Sequence, residues 1–76
     1  MVHAFIMVKT AAGKSEDLLA ALRNLEQISD AHIVAGDYDI IAEVAVEEVY
    51  DVLHTTASGI RDLEGVSDTK TYISLD

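Results

Sequence analysis

The residues best suited to chemistry in this chain are four consecutive ones, Gly36-Asp37-Tyr38-Asp39. Glycine permits a tight corner in which backbone N–H groups can approach a ligand, and the carboxylates beside it supply acceptors. A small zwitterion needs both, because its carboxylate requires donors and its ammonium requires an acceptor. The same residues are also good turn chemistry between two strands, with Tyr38 starting the second strand. From these four residues alone, both interpretations stand.

Two threonines near the end of the chain form a second polar pair. Thr69 and Thr71 alternate onto one face of the last predicted strand. Two hydroxyls on one face can hydrogen-bond a polar ligand, although threonine is also an ordinary strand residue. The pair favours a ligand-binding interpretation of the Gly36 to Asp39 run over that of a simple turn.

Other kinds of chemistry have little support in the sequence. The chain has no cysteine, which excludes disulfides, a thiol nucleophile and the commonest zinc ligand sets. Its three histidines, His3, His32 and His54, fall on different predicted elements at spacings that offer no metal site. The Ser58-Gly59 pair lies within a predicted helix, and no phosphate-binding glycine loop is present. We therefore predict no catalytic residue, no metal and no cofactor.

The charge of the chain is strongly acidic, with 14 acidic against 5 basic residues and a formal net charge of −9. Such a charge repels phosphate backbones, so we predict no direct binding to nucleic acid. The acidic residues keep a small, half-apolar protein in solution; adaptation to high intracellular salt is the alternative explanation of the charge.

No apolar run reaches the roughly 18 residues of a membrane span, and no signal peptide is evident. We therefore expect a cytoplasmic protein that does not bind membranes.

Hydrophobic periodicity predicts an α+β fold. The elements are a strand at residues 2–9, a helix from Ser15 as N-cap to about residue 27, strands at 31–35 and 38–46, a helix at about 47–63 and a strand at 66–75. This βαββαβ order is the ferredoxin-like arrangement, a four-stranded antiparallel sheet with both helices on one face. Gly59 interrupts the second helix at a cost of roughly 1 kcal/mol, so we expect it to permit a close contact.

The second face of the predicted sheet raises the question of assembly. Both alternating sets of the first strand are largely apolar, so the set with Phe5 and Met7, or its alternate, would face water. A domain of this size buries only about 60 to 65% of the surface of its unfolded chain, which makes it marginally stable alone. We therefore predict a dimer packed sheet to sheet, in the manner of a dimeric α+β barrel.

Three segments of the chain resemble a known family. Residues 4–8, 32–44 and 65–72 are similar to the amino-acid-binding effector domain, or RAM domain, of Lrp/AsnC transcriptional regulators. The resemblance spans nearly the whole chain, and the Gly-x-Tyr-Asp corner between two strands is its most specific part. It implies a small-ligand pocket between neighbouring dimers, with ligand-binding residues Gly36, Asp37, Tyr38, Asp39, Thr69 and Thr71.

The resemblance also implies roles for these residues. Gly36 would offer backbone N–H groups to a ligand carboxylate, and Asp39 would accept from the ammonium or hold the corner in shape. Tyr38 would form a wall of the pocket, while Thr69 and Thr71 would contribute to the pocket from the last strand. The implied ligand is a free amino acid, and the implied partner is the chain itself, as dimers that assemble into a larger ring such as an octamer.

The chain departs from full-length members of that family, which carry an N-terminal winged helix-turn-helix. It begins at its first predicted strand, so we expect one domain over residues 1–76 with no helix-turn-helix. The resemblance then implies a sensor that acts on transcription by co-assembly with a full-length Lrp/AsnC regulator, without binding DNA and without enzymatic activity.

Two rival functions share the same order of elements. A dimeric α+β barrel enzyme, monooxygenase-like or isomerase-like, would direct polar side chains into the space between helices and sheet. We expect that space to be filled by apolar side chains, those of Leu18, Leu22, Val52 and Ile60. An ACT-type regulatory domain also binds amino acids, but its ligand loop would follow the first strand, where residues 10–14 are a weak match.

Overall fold

A computed structural model of the chain describes the backbone of residues 1–76 and every side chain except that of Ala57. Its elements are β1 (Val2–Thr10), α1 (Ser15–Arg23), β2 (Ile28–Ile33), β3 (Ile40–Val46), α2 (Val49–His54) with a π-helical continuation (Thr55–Ile60), and β4 (Val66–Ile73). The strands form one sheet in the order β2-β3-β1-β4, and all neighbours are antiparallel. The predicted ferredoxin-like α+β fold is therefore confirmed, with β2 as an edge strand.

The core lies between the helices and one face of the sheet. Alternate residues of β1, namely Ala4, Ile6 and Val8, are buried on this face. Four helical side chains pack against them with at most 1% of their surface exposed, as predicted: Leu18, Leu22, Val52 and Ile60. Each such side chain stabilises the fold by about 1.5–3 kcal/mol relative to exposure. The apolar spacing that predicts the second helix consists of Val49, Val52, Leu53, Ala57, Ile60 and Leu63. Of these residues, Ala57 lies outside the described side chains.

Helix α1 begins and ends earlier than predicted. Ser15 is its first helical residue and not its N-cap, because Lys14 occupies the N-cap position without a side-chain cap. The Ser15 hydroxyl instead lies 2.9 Å from the hydroxyl of Thr10. The helix stops at Arg23, four residues short of the expected end, because the Leu25 N–H donates to the Leu22 C=O at 3.0 Å in a tightened turn that leads into β2.

The second helix is shorter than the predicted range 47–63 and changes geometry midway. Residues 55–60 are π-helical, with the Arg61 N–H donating five residues back to the Thr56 C=O at 3.0 Å. The hydroxyls of Thr55 and Thr56 donate to the carbonyls of Asp51 and Val52 at 2.8 and 3.0 Å. These hydroxyls compete with the backbone N–H groups for those carbonyls, which accounts for the widened turn. No helix of the described chain is long and apolar enough to cross a membrane.

The close contact expected at Gly59 is not present. A Cβ built there would lie 3.7 Å from Leu25 Cδ1, which is an ordinary van der Waals distance. The prediction was wrong, because the nearest neighbouring side chain, that of Leu25, leaves room for a methyl group. An alanine would fit at this position.

The middle strands are displaced from their predicted ranges. β2 spans Ile28–Ile33 instead of 31–35, and β3 begins at Ile40 instead of Tyr38. The reason is that residues 34–39 form a longer connection than a two-residue turn. At the other end of the sheet, β1 and β4 pair Ala4 with Ile73, and the Ser74 N–H donates to the His3 C=O at 2.9 Å.

The face of the sheet away from the helices, here called the open face, carries the other alternating set. Phe5 pairs with Tyr72, and Met7 pairs with Ile41, so these four side chains are neighbours. Within the single chain Phe5, Met7 and Ile41 are only partly buried, and Tyr72 is 50% exposed. The apolar set predicted to lie opposite the helices is therefore that of Phe5 and Met7.

Candidate ligand-binding site

The connection between β2 and β3, residues 34–39, is called here the corner loop. It is closed by the Val34 N–H, which donates to the Asp39 C=O at 2.9 Å. The chain bends at each residue from 35 to 39, and β2 and β3 pair antiparallel on either side. The predicted hairpin is confirmed, and the Gly36 to Asp39 run forms most of its loop.

The corner loop is fastened to the end of β1 by four hydrogen bonds. The Asp39 N–H donates to the Val8 C=O at 3.0 Å, and the Lys9 ammonium donates to the Asp37 C=O at 3.3 Å. The Asp39 Oδ2 atom accepts from both the Thr10 N–H at 2.8 Å and the Thr10 hydroxyl at 3.1 Å. The loop is therefore held to the sheet through both its backbone and a side chain.

The carboxylate of Asp39 is the centre of this arrangement. The N–H of Thr10, followed by its hydroxyl and the nearby Lys9 charge, lowers the pKa of Asp39 below its ordinary value of 3.8, against an opposing effect of desolvation. Since the Thr10 hydroxyl donates to Asp39, it accepts from the Ser15 hydroxyl 2.9 Å away. Of the two roles implied for Asp39, these contacts correspond to holding the corner in shape.

Gly36 is open to the surroundings of the chain. Among the described residues, the glycines with positive φ are Gly13 and Gly65, so the backbone at Gly36 is accessible to any amino acid. A Cβ built at Gly36 would meet no atom within 4 Å. The fold of one chain therefore does not require glycine here, in contrast to the tight corner expected from the sequence.

A cleft of about 390 Å³ lies on the open face beside the corner loop. Gly36, Asp37 and Tyr38 form one wall, and Met7 and Lys70 are among the residues of the sheet that line it. Its volume is in the range of pockets that bind small molecules.

Two cation–aromatic contacts flank this cleft. The Lys9 ammonium lies 5.9 Å from the centre of the Tyr38 ring, and the Lys70 ammonium lies 6.0 Å from that of Tyr72. Two of the five basic side chains of an acidic protein therefore border the corner-loop end of the open face.

Thr69 and Thr71 lie on the opposite face of the sheet. They pair with Val8 and Ile6, whose side chains point into the core. The two threonines line a separate cleft of about 350 Å³, here called the threonine groove, together with Leu53, Thr56 and Arg61. One chain therefore groups Gly36, Asp37, Tyr38 and Asp39 at the corner loop but does not bring them together with the two threonines.

Sequence reasoning missed the residues that hold or complete these clefts. Thr10 is 29 residues from Asp39, and only the strand register brings the two together. Lys70 is opposite Met7 in the β1–β4 register and so joins the first cleft. Arg61 follows the π-helical segment and enters the threonine groove through the hydrogen bond of its Nε–H to Thr69 of β4. None of these placements has a local signal in the sequence.

The described residues contain no group of three or more metal-binding side chains. His32 lies 3.0 Å from Asp30, and this contact is the main cause that lowers the pKa of Asp30. The His54 ring stacks on that of Tyr50 with centroids 6.4 Å apart. The three histidines are exposed and lie apart on β1, β2 and α2.

Comparison with known proteins gives consistent matches. A family model described as the Lrp/AsnC ligand binding domain matches residues 3–76. The leucine-responsive regulatory protein of Haemophilus influenzae is 31% identical over 61 residues, which are 80% of this chain and 37% of that protein. The chain thus spans little more than a third of the length of the curated relatives that it matches.

Two solved structures resemble the whole fold. The crystal structure of TTHA0845 from Thermus thermophilus has a TM-score of 0.95 at 29% identity, covering 100% of this chain and 95% of that one. The hypothetical protein PHS023 from Pyrococcus horikoshii has a TM-score of 0.91 at 32% identity, with 99% and 90% covered. In both cases the similarity extends over nearly the full length of both chains.

Proposed function

Because this chain belongs to the Lrp/AsnC ligand binding domain family, we propose that it binds a free amino acid and conveys its occupancy to a transcriptional regulator through subunit assembly. The name of the matching Haemophilus protein describes it as leucine-responsive. The observation that carries the proposal for this chain is the corner loop, which is held to β1 while its glycine is open to the outside.

The corner loop is suited to a carboxylate. None of the hydrogen bonds among the described residues uses the backbone N–H groups of Gly36, Asp37 and Tyr38. A carboxylate can therefore accept from this part of the loop, and Gly36 leaves room for it to approach the backbone. The hydrogen bonds from Thr10 to Asp39 keep the loop in place, so that little conformational entropy is lost on binding.

The complete site is proposed to lie between two chains. The corner-loop residues and the two threonines are on opposite faces of one sheet, so a small ligand can touch both sets only when a second chain supplies one of them. We assign Gly36, Asp37, Tyr38 and Asp39 to one subunit, with Asp39 as a positioning residue. Thr69 and Thr71 come from its neighbour.

Assembly is supported by the apolar open face. Phe5, Met7, Ile41 and Tyr72 leave a row of large side chains in contact with water in the single chain, and a second copy would cover them. We propose a sheet-to-sheet dimer, with dimers joined into a larger ring such as an octamer and able to co-assemble with a full-length Lrp/AsnC regulator. The acidic chain itself is not proposed to bind DNA.

The energy required of such a sensor is small. Half-occupancy at millimolar amino acid corresponds to about −4 kcal/mol. A ligand of about nine heavy atoms reaches this value at roughly −0.5 kcal/mol per atom. If the site spans two dimers, ligand also stabilises the assembled state by linkage.

A calorimetric screen against the twenty amino acids tests the proposal, with Gly36→Ala as the variant. We expect at least one amino acid to bind the native chain at millimolar concentration or below. The new methyl group at residue 36 should weaken that binding at least tenfold, because it occupies space kept open for the ligand, which corresponds to about 1.4 kcal/mol.

Gly59→Ala is the matched control, because the same methyl group makes an ordinary contact there. Both variants should retain the circular dichroism spectrum of the native chain and should melt at no lower a temperature than it does. A native chain that binds none of the twenty at saturating millimolar concentration would refute the sensor proposal. Equal binding by Gly36→Ala would place the ligand elsewhere.

A further inference from the structure

The threonine groove contains one charged side chain, and its surroundings leave that charge available. Among the described residues that line the groove, Arg61 alone is charged. Its Nε–H donates to Thr69 Oγ1 at 3.3 Å, which places the guanidinium beside the two threonines. Arginine has five N–H donors, so this contact leaves four others.

Arg61 has no carboxylate partner within the described part of the chain. The one ion pair there joins His32 to Asp30, although acidic residues outnumber basic ones by 14 to 5. The Thr56 hydroxyl already donates a hydrogen bond to the Val52 C=O at 3.0 Å. Polar recognition in the groove therefore falls to Thr69, Thr71 and Arg61, while Leu53 offers an apolar surface.

We propose that Arg61 sets the charge preference of the site and that the ligand is an amino acid whose side chain ends in a carboxylate. This inference rests on the proposed function. If the corner loop of one subunit holds the α-carboxylate, the far end of the ligand faces the threonine groove of its neighbour. A side-chain carboxylate there would form charge-assisted hydrogen bonds with the guanidinium, and its methylenes would pack on Leu53. A lysine side chain would meet like charge.

The experiment measures the affinities of glutamate, glutamine, leucine and lysine for the intact chain by calorimetry. An ionic strength of about 0.15 M limits the reach of the net charge to about 8 Å, so that nearby groups dominate. We expect glutamate to bind more tightly than glutamine or leucine, and lysine to bind most weakly.

The variant Arg61→Gln should lose about fivefold in glutamate affinity, the scale of a partly exposed ion pair, and should gain in lysine affinity. Its leucine affinity should stay within about twofold of native, and Arg61→Lys should recover part of the glutamate preference. Lys14→Gln is the charge-matched control, because Lys14 lines a different surface with Asp17 and Glu64.

The possible results separate this inference from the proposed function. Glutamate binding no more tightly than leucine, or unchanged glutamate affinity in Arg61→Gln, overturns the role of Arg61 while amino acid binding stands. A change in the sedimenting assembly without a change in glutamate affinity assigns Arg61 to a contact with a second copy and also overturns it. If none of the four amino acids binds, and the calorimetric screen against all twenty also finds no binding, both the role of Arg61 and the proposed function are overturned.

Discussion

Asp39 is the residue on which the shape of the corner loop depends. Its backbone N–H reaches Val8, its C=O receives the Val34 N–H, and its Oδ2 atom receives both donors of Thr10. A methyl group added at Gly36, three residues earlier, would meet no atom within 4 Å. The loop thus combines one residue fixed by the fold with one that the fold leaves open, which is the combination expected of a preorganised binding loop.

We predict that Asp39→Asn lowers the stability of the chain in a manner that depends on pH. The pKa of Asp39 is lowered in the folded chain, so the carboxylate stabilises the fold above the unfolded pKa. This contribution is lost as the pH falls through the lower folded pKa. Urea unfolding at a series of pH values should therefore show a gap between native and variant at neutral pH that closes below about pH 4.

Asp37→Asn is the control for this experiment, because the Asp37 carboxylate takes part in no hydrogen bond among the described residues while it lies in the same loop. Its stability at pH 7 should equal that of the native chain. Equal stability of Asp39→Asn and the native chain at pH 7 would contradict the role given to this carboxylate.

At the scale of elements, the second helix shows how side chains override periodicity. The apolar spacing from Val52 to Ile60 is helical, and both residues are buried as that spacing predicts. Thr55 and Thr56 nevertheless draw the segment into π-helical geometry by donating to carbonyls four residues back. The result places Arg61 beside Thr69 and so shapes one side of the threonine groove.

We expect Thr56→Val to destabilise the chain by about 1 kcal/mol, the usual net value of one hydrogen bond in a buried setting. The two side chains have nearly the same shape, so the loss reports the hydroxyl bond to Val52 and not a cavity. Thermal unfolding measures this loss. Ser58→Ala is the control, because Ser58 is an exposed residue of the same segment. Removal of its hydroxyl should change the free energy of unfolding by less than about 0.5 kcal/mol. A Thr56→Val chain as stable as native would show that the hydroxyl bond contributes nothing.

The existence and order of the elements were predictable because each has its own periodicity. Alternation in β1 and leucine spacing in α1 are local patterns, and they led to the correct fold. The ends of the elements were harder to predict. At the start of α1, for example, the Ser15 hydroxyl bonds to the Thr10 hydroxyl and does not cap its own helix. For the candidate site, the corner loop was identified from its residue types, but its attachment to Thr10 depends on a contact 29 residues away.

The placement of the two threonines illustrates the same limit. Their alternation correctly put Thr69 and Thr71 on one face of β4. Which face this is depends on the register with β1, where they pair with the inward-pointing Val8 and Ile6. Only that register separates them from the corner-loop cleft on the other side of the sheet.

For the whole molecule, the open face is the surface through which we propose that copies associate. Met7 lies on the central strand β1, between Ile41 of β3 and Lys70 of β4. We predict that the native chain sediments as a dimer or larger assembly at micromolar concentration. Met7→Glu should sediment as a monomer, because each copy would bring a carboxylate into the middle of the interface, where its desolvation costs more than an ion pair with the neighbouring Lys70 returns.

Ala20→Glu is the control, since Ala20 is exposed on helix α1 and lies away from the open face. It should leave the sedimentation of the native chain unchanged while adding the same charge. A stable monomer of the native chain at micromolar concentration would refute the sheet-to-sheet dimer.

The pairing of β1 with β4 has a practical consequence for the ends of the chain. Because Ala4 is opposite Ile73 and Ser74 bonds to His3, the two termini emerge side by side. The corner loop is fastened at the other end of β1, about 25 Å away at the usual rise of a strand. A tag, fluorophore or further domain attached at either terminus would therefore project away from Gly36, and a short linker could join the termini to make a circular permutant with the corner loop untouched.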